Sequence, residues 1–378
     1  MLSHKPPMGW NSWNTFAQNI NEKLIMEITD VIVNEGYQAA GYEYVIIDDC
    51  WSLKERVDGK LVPDPELFPN GMKHLADYIH SKGLKFGMYS CAGFKTCAGY
   101  PSSYGHEFED AKQFAEWGVD YLKYDFCNFP QSGDAKNAYL TMAMALRNSG
   151  RDILFAACNW GEKNPSQWMR SHGAHTYRST GDIFDAPISY IDIFKSQIDN
   201  VEGNGPGCYN DMDMLITGMH GKGHVGLEGC TDAQYLQHFA LWAFLGSPLI
   251  IGADLRSLDP VNKDVILNPG LISINQDDEC RPAFCISKVG ENGFCIAKIL
   301  SGGRIAIGMF NVSETDNVWC GARINVSFDD LGLHSETNLG LKLTDAFTGE
   351  ELGVFHDGFS FEVGAYGSKV LIGEIVNG

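Results

Sequence analysis

The sequence lacks the features that mark membrane proteins and nucleic-acid-binding proteins. It has no apolar run long enough to cross a bilayer, and its first residues lead into Pro6-Pro-Met-Gly-Trp10 without a secretory signal. Positive charge is scarce, because 28 lysines and arginines stand against 48 acidic residues, for a net charge of -20. We therefore expect no nucleic-acid or membrane partner, a neutral substrate, and a cytoplasmic location, or secretion if a signal has been removed.

Regularly spaced metal ligands and phosphate-binding loops are also missing. The 11 cysteines are odd in number and scattered, which disfavours a full disulfide framework. The histidines have no ligand motif around them, so we predict no metal and no cofactor. An open doubly wound sheet, the structural alternative, would need a glycine-rich loop after its first strand, and the sequence has none there.

Short strand-like runs alternate with amphipathic helix-like stretches over the first 276 residues. Runs such as 44–47 and 121–124 are β-branched or aromatic, and stretches such as 22–35 and 231–245 have helical periodicity. About eight such units are present, the number that closes a (β/α)8 barrel. After Gln276 the apolar runs alternate between turn residues, without helical stretches. We predict an α/β chain with a TIM barrel over 1–276 and an antiparallel β domain over 277–378.

Polar and aromatic residues follow seven of the strand-like runs. The carboxyl ends of parallel barrel strands meet at one mouth, so these residues should lie together. Neighbouring carboxylates accept hydrogen bonds from vicinal hydroxyls, and an indole stacks on a sugar ring, which predicts a pyranose site. The seven segments are Trp10-Asn-Ser-Trp13, Asp48-Asp-Cys-Trp51, Tyr89-Ser90, Lys123-Tyr-Asp125, Cys158-Asn-Trp160, Arg178-Ser-Thr-Gly-Asp182 and Asn210-Asp-Met-Asp-Met214.

Two of these residues, Asp125 and Asp182, predict glycoside hydrolysis. Cleavage of an acetal needs one carboxyl group to protonate the leaving oxygen and a second to meet the oxocarbenium-like carbon. Lys123 lies two residues before Asp125 and faces the same way on a strand, so it should help to keep Asp125 ionised. Asp182 must start protonated, whereas a close Arg178 would lower its pKa. We therefore expect Arg178 to contact the substrate, or to contact Asp182 differently along the reaction.

The same segments resemble glycoside hydrolase family 27, the α-galactosidases and α-N-acetylgalactosaminidases. The resemblance follows the motifs in order over nearly the whole chain. It implies a (β/α)8 barrel with a C-terminal antiparallel β-sandwich domain, and a retaining double displacement without a metal. The implied substrate is a terminal α-linked galactose on an oligosaccharide or glycan. The oligomeric state is left open, with a homo-oligomer as one alternative.

Roles follow from the resemblance motif by motif. Asp125 is implied to be the nucleophile and Asp182 the general acid and base. Cys97 and Cys127 match positions that form a disulfide near the site in the family, and the alternative of two reduced thiols stays open. The residues implied to line the galactose subsite are Trp13, Asp48, Asp49, Tyr89, Lys123, Cys158, Trp160, Arg178 and Met214.

One leading function and three alternatives remain. The leading one is an exo-acting α-galactosidase, and α-N-acetylgalactosaminidase, β-L-arabinopyranosidase and an inactive sugar-binding protein are the alternatives. The bulk of Trp160 disfavours an acetamido group, and Asp49, shorter than the glutamate of arabinopyranosidases, leaves room for a hydroxymethyl group. The chain departs from the family pattern at Cys91, where an aspartate is usual, and at Asn159, where galactosidases commonly have a glutamate.

Overall fold

The first domain is a barrel of eight parallel strands. The computed structural model describes residues 2–314, 323–334 and 338–377. Strands β1 to β7 pair in chain order, and β1 also pairs with β8. The strands are β1 (Met8–Asn11), β2 (Tyr44–Ile46), β3 (Lys85–Cys91), β4 (Tyr121–Asp125), β5 (Leu154–Cys158), β6 (Thr176–Arg178), β7 (Tyr209–Asp211) and β8 (Leu249–Ile251).

The barrel closes through Leu215, which lies just beyond β7. Its N–H donates to the carbonyl of Ile250 at 2.7 Å, and its own carbonyl accepts from the N–H of Gly252 at 2.9 Å. This bridge is parallel, as the other barrel pairs are. All the strand ends therefore meet at one mouth, and the predicted fold class is confirmed.

Apolar residues fill the barrel below that mouth. Tyr121, Lys123 and Asp125 lie two residues apart on β4, so they share its inward face. Tyr121 belongs to a buried apolar layer, whereas the other two line the cavity at the mouth. The buried members of that layer are Tyr44, Ile46, Tyr121, Leu154, Ala156, Met214 and Ile250.

Helices surround the barrel, and α8 is buried almost throughout. Its apolar residues run all round the helix, which fits a position between the barrel and the second domain. Thr231 and Gln234 cap its start in a capping box. The helices are α1 (Trp13–Phe16), α2 (Glu22–Asn34), α3 (Tyr37–Ala40), α4 (Gly71–Ser81), α5 (Glu107–Trp117), α6 (Ala135–Arg147), α7 (Pro187–Gln197), α8 (Asp232–Leu245), α9 (Pro260–Ile266) and α10 (Pro269–Asn275).

The second domain is an antiparallel sandwich of a six-stranded and a two-stranded sheet. The larger sheet has the order β14-β13-β16-β11-β10-β9, and β12 pairs with β15. A separate apolar core, including Ile307, Phe328 and Leu343, fills the domain. The strands are β9 (Phe284–Val289), β10 (Gly293–Leu300), β11 (Arg304–Asn311), β12 (Arg323–Ser327), β13 (Leu339–Asp345), β14 (Glu351–Phe355), β15 (Gly358–Glu362) and β16 (Ser368–Asn377).

None of the helices in the described ranges is long and apolar enough to cross a membrane. The boundary that we predict between residues 276 and 277 falls after α10 and before β9, and it stays a prediction. The predicted second domain, 277–378, also includes the residues that lie outside the described ranges.

The two domains share an apolar interface. The ring centroids of Phe194 and Phe294 lie 5.0 Å apart, and those of Phe244 and Phe310 lie 5.8 Å apart. Gln237 on α8 adds a polar contact, since its Nε2 donates to the carbonyl of Gly367 at 2.9 Å. The barrel and the sandwich therefore bury side chains against each other.

The substitution Gly270→Ala tests this interface at its closest backbone contact. A Cβ at Gly270, in the first turn of α10, would lie 1.8 Å from the carbonyl oxygen of Ala346. Helix propensity alone would raise the free energy of unfolding by ~0.5–1 kcal/mol, whereas overpacking should lower it by about 1–3 kcal/mol. We expect a lower midpoint in thermal unfolding. Ser273→Ala on the same helix is the control, and a raised midpoint in Gly270→Ala would contradict the contact.

Candidate active site

The site contains one buried and one exposed carboxylate. Asp125, the last residue of β4, is only 5% exposed, and its Oδ1 accepts the N–H of Phe126 at 2.8 Å. The side chain of Asp182, in the loop after β6, is 60% exposed. One carboxylate is thus held inside the barrel mouth, and the other stands at its opening.

Burial dominates the titration of Asp125. It raises the pKa of Asp125 to about 6, against the opposing effects of the Lys123 charge and the Phe126 N–H. The Lys123 ammonium bonds to Asp48 Oδ2 at 2.9 Å, so part of its charge is already neutralised there. Asp125 is therefore ionised at neutral pH but takes up a proton in mildly acidic solution.

Arg178 joins the exposed carboxylate to a second, buried one. Its Nη2 donates to Asp182 Oδ1 at 2.8 Å and to Asp213 Oδ2 at 2.5 Å. Burial would raise the pKa of Asp182, but the Arg178 charge, assisted by Lys123, outweighs it and holds that pKa below its ordinary value. Burial raises the pKa of Asp213 to about 6 despite the same cation. All three groups are therefore charged at neutral pH.

The floor of the site is a pair of adjacent carboxylates in fixed positions. Asp48 Oδ2 accepts hydrogen bonds from Asn11 Nδ2 and from the Lys123 ammonium, both at 2.9 Å. Asp49 Oδ2 accepts the N–H of Ala98 at 2.8 Å, and its other oxygen accepts the N–H of Cys50 at 2.7 Å. Burial raises the pKa of Asp49. These bonds orient both carboxylates before any ligand binds.

Aromatic side chains form the walls of a cavity of about 230 Å³ above this floor. Trp13, Tyr89 and Trp160 line it together with Asp125 and Asp182. The Trp13 ring lies edge-on to His224, with 5.2 Å between ring centroids. A cavity of this size, with flat walls and a polar floor, suits one pyranose ring.

A disulfide between Cys97 and Cys127 borders the same cavity. Cys127 lies two residues after Asp125, and Cys97 precedes Ala98, whose N–H bonds to Asp49. Tyr89 adds a contact, because its hydroxyl donates to the Cys97 sulfur at 3.3 Å. The disulfide therefore links the loop after β3, which contacts Asp49, to the segment that follows Asp125 at the end of β4.

All the predicted site residues lie at the barrel mouth, and Cys158 borders a small neighbouring cavity with Lys123, Arg178 and Met214 rather than the main one. Cys158 lies outside the lining of the main cavity and is buried behind Arg178, with 3.8 Å between its sulfur and Nη1. Asn159 is buried too, and its Nδ2 donates to the carbonyl of Glu162. The predicted residues that line the cavity are Trp13, Asp48, Asp49, Tyr89, Lys123, Asp125, Trp160, Arg178, Asp182 and Met214, with Cys97 and Cys127.

Sequence reasoning missed several residues of the site. Asp213 stands in one of the strand-end segments but is not among the residues predicted to line the subsite, yet it lines the cavity and is the buried partner of Arg178. Its place in the same strand-end motif as Met214 was the available signal. Phe184 and His224 also line the cavity. Both lie in loops beyond the strand ends, where no periodic pattern marks them.

Two clusters of potential metal ligands occur in the described part of the chain, and both have other partners. In the cluster of Cys97, Asp125 and Cys127, the two sulfurs are bonded to each other. In the cluster of His220, Asp232 and Asp259, Asn262 Nδ2 donates to the two carboxylates at 2.9 and 3.0 Å. That no metal takes part stays a prediction.

Known proteins match this chain over most of its length. The family model described as Alpha galactosidase A covers residues 5–277, and the Alpha galactosidase C-terminal beta sandwich domain covers 295–372. The chain belongs to the α-galactosidase family, glycoside hydrolase family 27.

Individual members of the family are similar in both sequence and structure. The chain is 44% identical to α-galactosidase A of Cellvibrio japonicus over 287 residues, which are 73% of this chain and 68% of that protein. It is 41% identical to the α-galactosidase of Cyamopsis tetragonoloba, over 89% of this chain and 79% of that one. The crystal structure of α-galactosidase I from Mortierella vinacea superposes with a TM-score of 0.90 at 33% identity, covering 100% of this chain and 99% of the other.

The raised pKa of Asp125 predicts a stability gain in Asp125→Asn. With a folded-state pKa of about 6 against 3.8, the folded chain loses stability as the pH rises from 3.8 to about 6, and the full cost remains at higher pH. The amide can keep the Phe126 hydrogen bond and cannot ionise. We expect the free energy of unfolding to rise by up to about 3 kcal/mol near pH 7.5, and by less than about 1 kcal/mol near pH 4. Urea unfolding at the two pH values measures the difference.

Asp182→Asn is the matched control, because the pKa of Asp182 is shifted in the opposite direction. Its ionised form is favoured in the folded chain, so this variant should gain no stability near pH 7.5. Equal gains in both variants would contradict the assignment of the Asp125 effect to burial.

Proposed function

We propose that this chain is a retaining exo-α-galactosidase that removes terminal α-linked galactose from oligosaccharides or glycans. The observation that carries the proposal is the pairing of buried Asp125 with exposed Asp182 at one pyranose-sized cavity. The relatives from Cellvibrio japonicus and Cyamopsis tetragonoloba bear the name α-galactosidase, which supports it. A pocket with a closed floor favours removal of a terminal sugar over cleavage within a chain.

In the first step Asp125 attacks the anomeric carbon as the glycosidic oxygen takes the proton of Asp182. The bond from carbon to Asp125 forms while the bond to the leaving oxygen breaks, which leaves a glycosyl-enzyme ester. Burial favours this attack, since it leaves Asp125 poorly solvated and its negative charge is lost on esterification. The Phe126 N–H holds the carboxylate in place.

Asp182 can carry the proton that this step needs because Asp213 remains with Arg178. The three groups together carry one negative charge when all are ionised, and protonation of Asp182 makes them neutral while the buried guanidinium keeps a carboxylate partner. A sugar in the cavity also excludes water from the exposed carboxylate, which raises its pKa. Asp182 must start protonated although the nearby Arg178 lowers its pKa. Because Arg178 also pairs with Asp213, Asp182 can be protonated without leaving the arginine unpaired.

In the second step a water replaces the leaving group. Asp182, now ionised, removes a proton from the water, which attacks the anomeric carbon and releases Asp125. Esterification has removed the Asp125 charge, so the pKa of Asp182 falls and the acid becomes a base. Two displacements at one carbon retain the anomeric configuration.

The mechanism predicts different losses in two alanine variants. Asp125→Ala should lose at least about 10⁴-fold in kcat, since nothing replaces the nucleophile. Asp182→Ala should lose about 10²- to 10⁴-fold on a disaccharide and much less on nitrophenyl α-galactoside, whose leaving group needs little protonation. NMR of the first product measures the stereochemistry, and an inverted anomer would contradict the double displacement.

The cavity also predicts which sugar is preferred. Trp160 crowds the space for a 2-acetamido group, which should favour nitrophenyl α-galactoside over the α-N-acetylgalactosaminide by about ten- to a hundredfold in kcat/KM. Asp49→Glu should shift preference toward the β-L-arabinopyranoside, because the longer side chain fills space beside the floor. Equal kcat/KM for the acetamido sugar would contradict the role of Trp160.

A further inference from the structure

Asp185 is a buried carboxylate to which the two displacement steps give no role. It is 0% exposed and follows Asp182 by three residues, so it belongs to the loop that presents the exposed carboxylate. Several of its contacts are with a second loop, residues 218–230, which comes after β7 and contributes His224 and Val225 to the lining of the catalytic cavity. We call residues 218–230 the glycine-rich loop, since five of them are glycine.

The carboxylate of Asp185 accepts hydrogen bonds from a backbone N–H and from a hydroxyl group. The N–H of Gly221 donates to Oδ2 at 2.6 Å, and the hydroxyl of Tyr235, on α8, donates to Oδ1 at 2.9 Å. That hydroxyl in turn accepts the N–H of His220 at 2.6 Å and the N–H of Cys230 at 3.2 Å. Asp185 and Tyr235 together therefore hold both ends of the glycine-rich loop against α8.

The backbone of Asp185 makes two more bonds to the glycine-rich loop. Its N–H donates to the carbonyl of Val225 at 3.0 Å, and its carbonyl accepts the N–H of Gly229 at 2.9 Å. The loop is also folded tightly on itself, because a Cβ at Gly226 would lie 2.3 Å from the carbonyl oxygen of Gly221. Asp185 thus uses its N–H, its carbonyl and one carboxylate oxygen on this one segment.

The far side of the glycine-rich loop contacts an aromatic wall of the catalytic cavity. The N–H groups of His224 and Val225 donate to the carbonyls of Thr15 and Asn14, at 3.2 and 3.1 Å. These carbonyls belong to α1, the helix that begins at Trp13. The edge-on contact of the His224 ring with the Trp13 indole, at 75° between planes, lies beside these bonds. The contacts of Asp185 therefore extend through one loop to the indole that faces the sugar.

The backbone of Asp182 takes its position from the buried residues that follow it. Gly181 and Asp182 are exposed, whereas Ile183 and Asp185 are buried. The N–H of Ile183 donates to Asp213 Oδ2 at 2.8 Å, and Asp185 supplies the second attachment. A displacement of about 1 Å of a catalytic group can lower a rate by about a hundredfold. The place of the exposed carboxylate therefore depends on how Asp185 is held.

We propose that Asp185 is a positioning residue for the reaction, which holds Asp182 in a fixed place relative to the wall that Trp13 forms. The acid that protonates the leaving oxygen and the indole that faces the sugar come from different loops, and Asp185 contacts both of those loops. The inference rests on the proposed function for the task of Asp182. The contacts themselves belong to the fold, so they can be tested without hydrolysis.

Two mild variants of the whole chain test the proposal by kinetics. Asp185→Asn keeps the shape of the side chain and loses one acceptor oxygen, and Tyr235→Phe removes only the hydroxyl. In both, kcat on a galactosyl disaccharide should fall about ten- to a hundredfold, because a displaced Asp182 protonates the leaving oxygen poorly. On nitrophenyl α-galactoside, which needs little protonation, kcat should fall at most about threefold. KM should rise about two- to fivefold for both substrates, since the Trp13 wall is no longer fixed.

Hydrogen exchange and galactose binding give readouts that do not depend on hydrolysis. In both variants the amides of residues 182–185 and 218–230 should exchange at least about tenfold faster. Galactose should bind about two- to fivefold more weakly in calorimetry. Tyr78→Phe is the matched control, because the Tyr78 hydroxyl donates to Asp30 Oδ1 at 2.8 Å, between α4 and α2. This variant loses the same kind of bond and should change none of these quantities.

Three results would overturn the proposal. They are unchanged exchange in the two segments, equal losses of kcat on the disaccharide and on nitrophenyl α-galactoside, or the same changes in Tyr78→Phe. If Asp185→Asn does not fold, Tyr235→Phe alone decides between these outcomes. Faster exchange and weaker galactose binding in a chain that hydrolyses neither galactoside would support the positioning by Asp185 and refute the proposed function alone.

Discussion

The site depends on how one buried guanidinium is neutralised. Arg178 is only 3% exposed, and a buried cation without a partner would cost several kcal/mol. Asp213, equally buried, supplies that partner, and Asp182 is a second acceptor on the same nitrogen. Because the first pair persists, Asp182 can gain or lose a proton without leaving Arg178 unpaired. In the proposed mechanism, this leaves the exposed carboxylate of Asp182 free to alternate between acid and base.

Contacts far from the substrate hold the pair of Arg178 and Asp213 in place. The carbonyl of Asp213 accepts the indole N–H of Trp242 at 2.7 Å, and its Oδ2 accepts the N–H of Ile183. Trp242 lies on α8, the helix that separates the barrel from the sandwich domain. The sandwich domain therefore supports, through α8, the segment that closes the barrel and carries Asp213.

Much of this arrangement could be predicted from the sequence, because strand ends of a parallel barrel must converge. Eight short apolar runs predicted the barrel strands, and the polar residues after them predicted most of the cavity lining. Helices α7, α9 and α10 were not predicted. All three begin at a proline and lack a clean apolar stripe over a sufficient length. Strands β12, β13, β14 and β15 were not identified among the turn residues either.

The electrostatics could not be predicted, because they depend on burial and on contacts between distant residues. A basic residue precedes each catalytic aspartate in the sequence, yet Lys123 bonds to Asp48 instead. Burial then raises the pKa of Asp125, while the Arg178 charge outweighs burial at Asp182 and holds its pKa below the ordinary value. The pair of Arg178 and Asp213 joins the end of β6 to the segment after β7.

The sharing of Arg178 is tested most directly by the pH dependence of kcat/KM in Asp213→Asn, on a galactosyl disaccharide. Without the Asp213 charge, Arg178 should pair with Asp182 alone and hold its pKa lower. The basic limb of the profile should then move to lower pH by roughly 1–3 units, the range for a carboxylate beside an unshared arginine. Thermal unfolding of the variant establishes that the fold is intact. A basic limb at the same pH as in the unaltered chain would contradict the account.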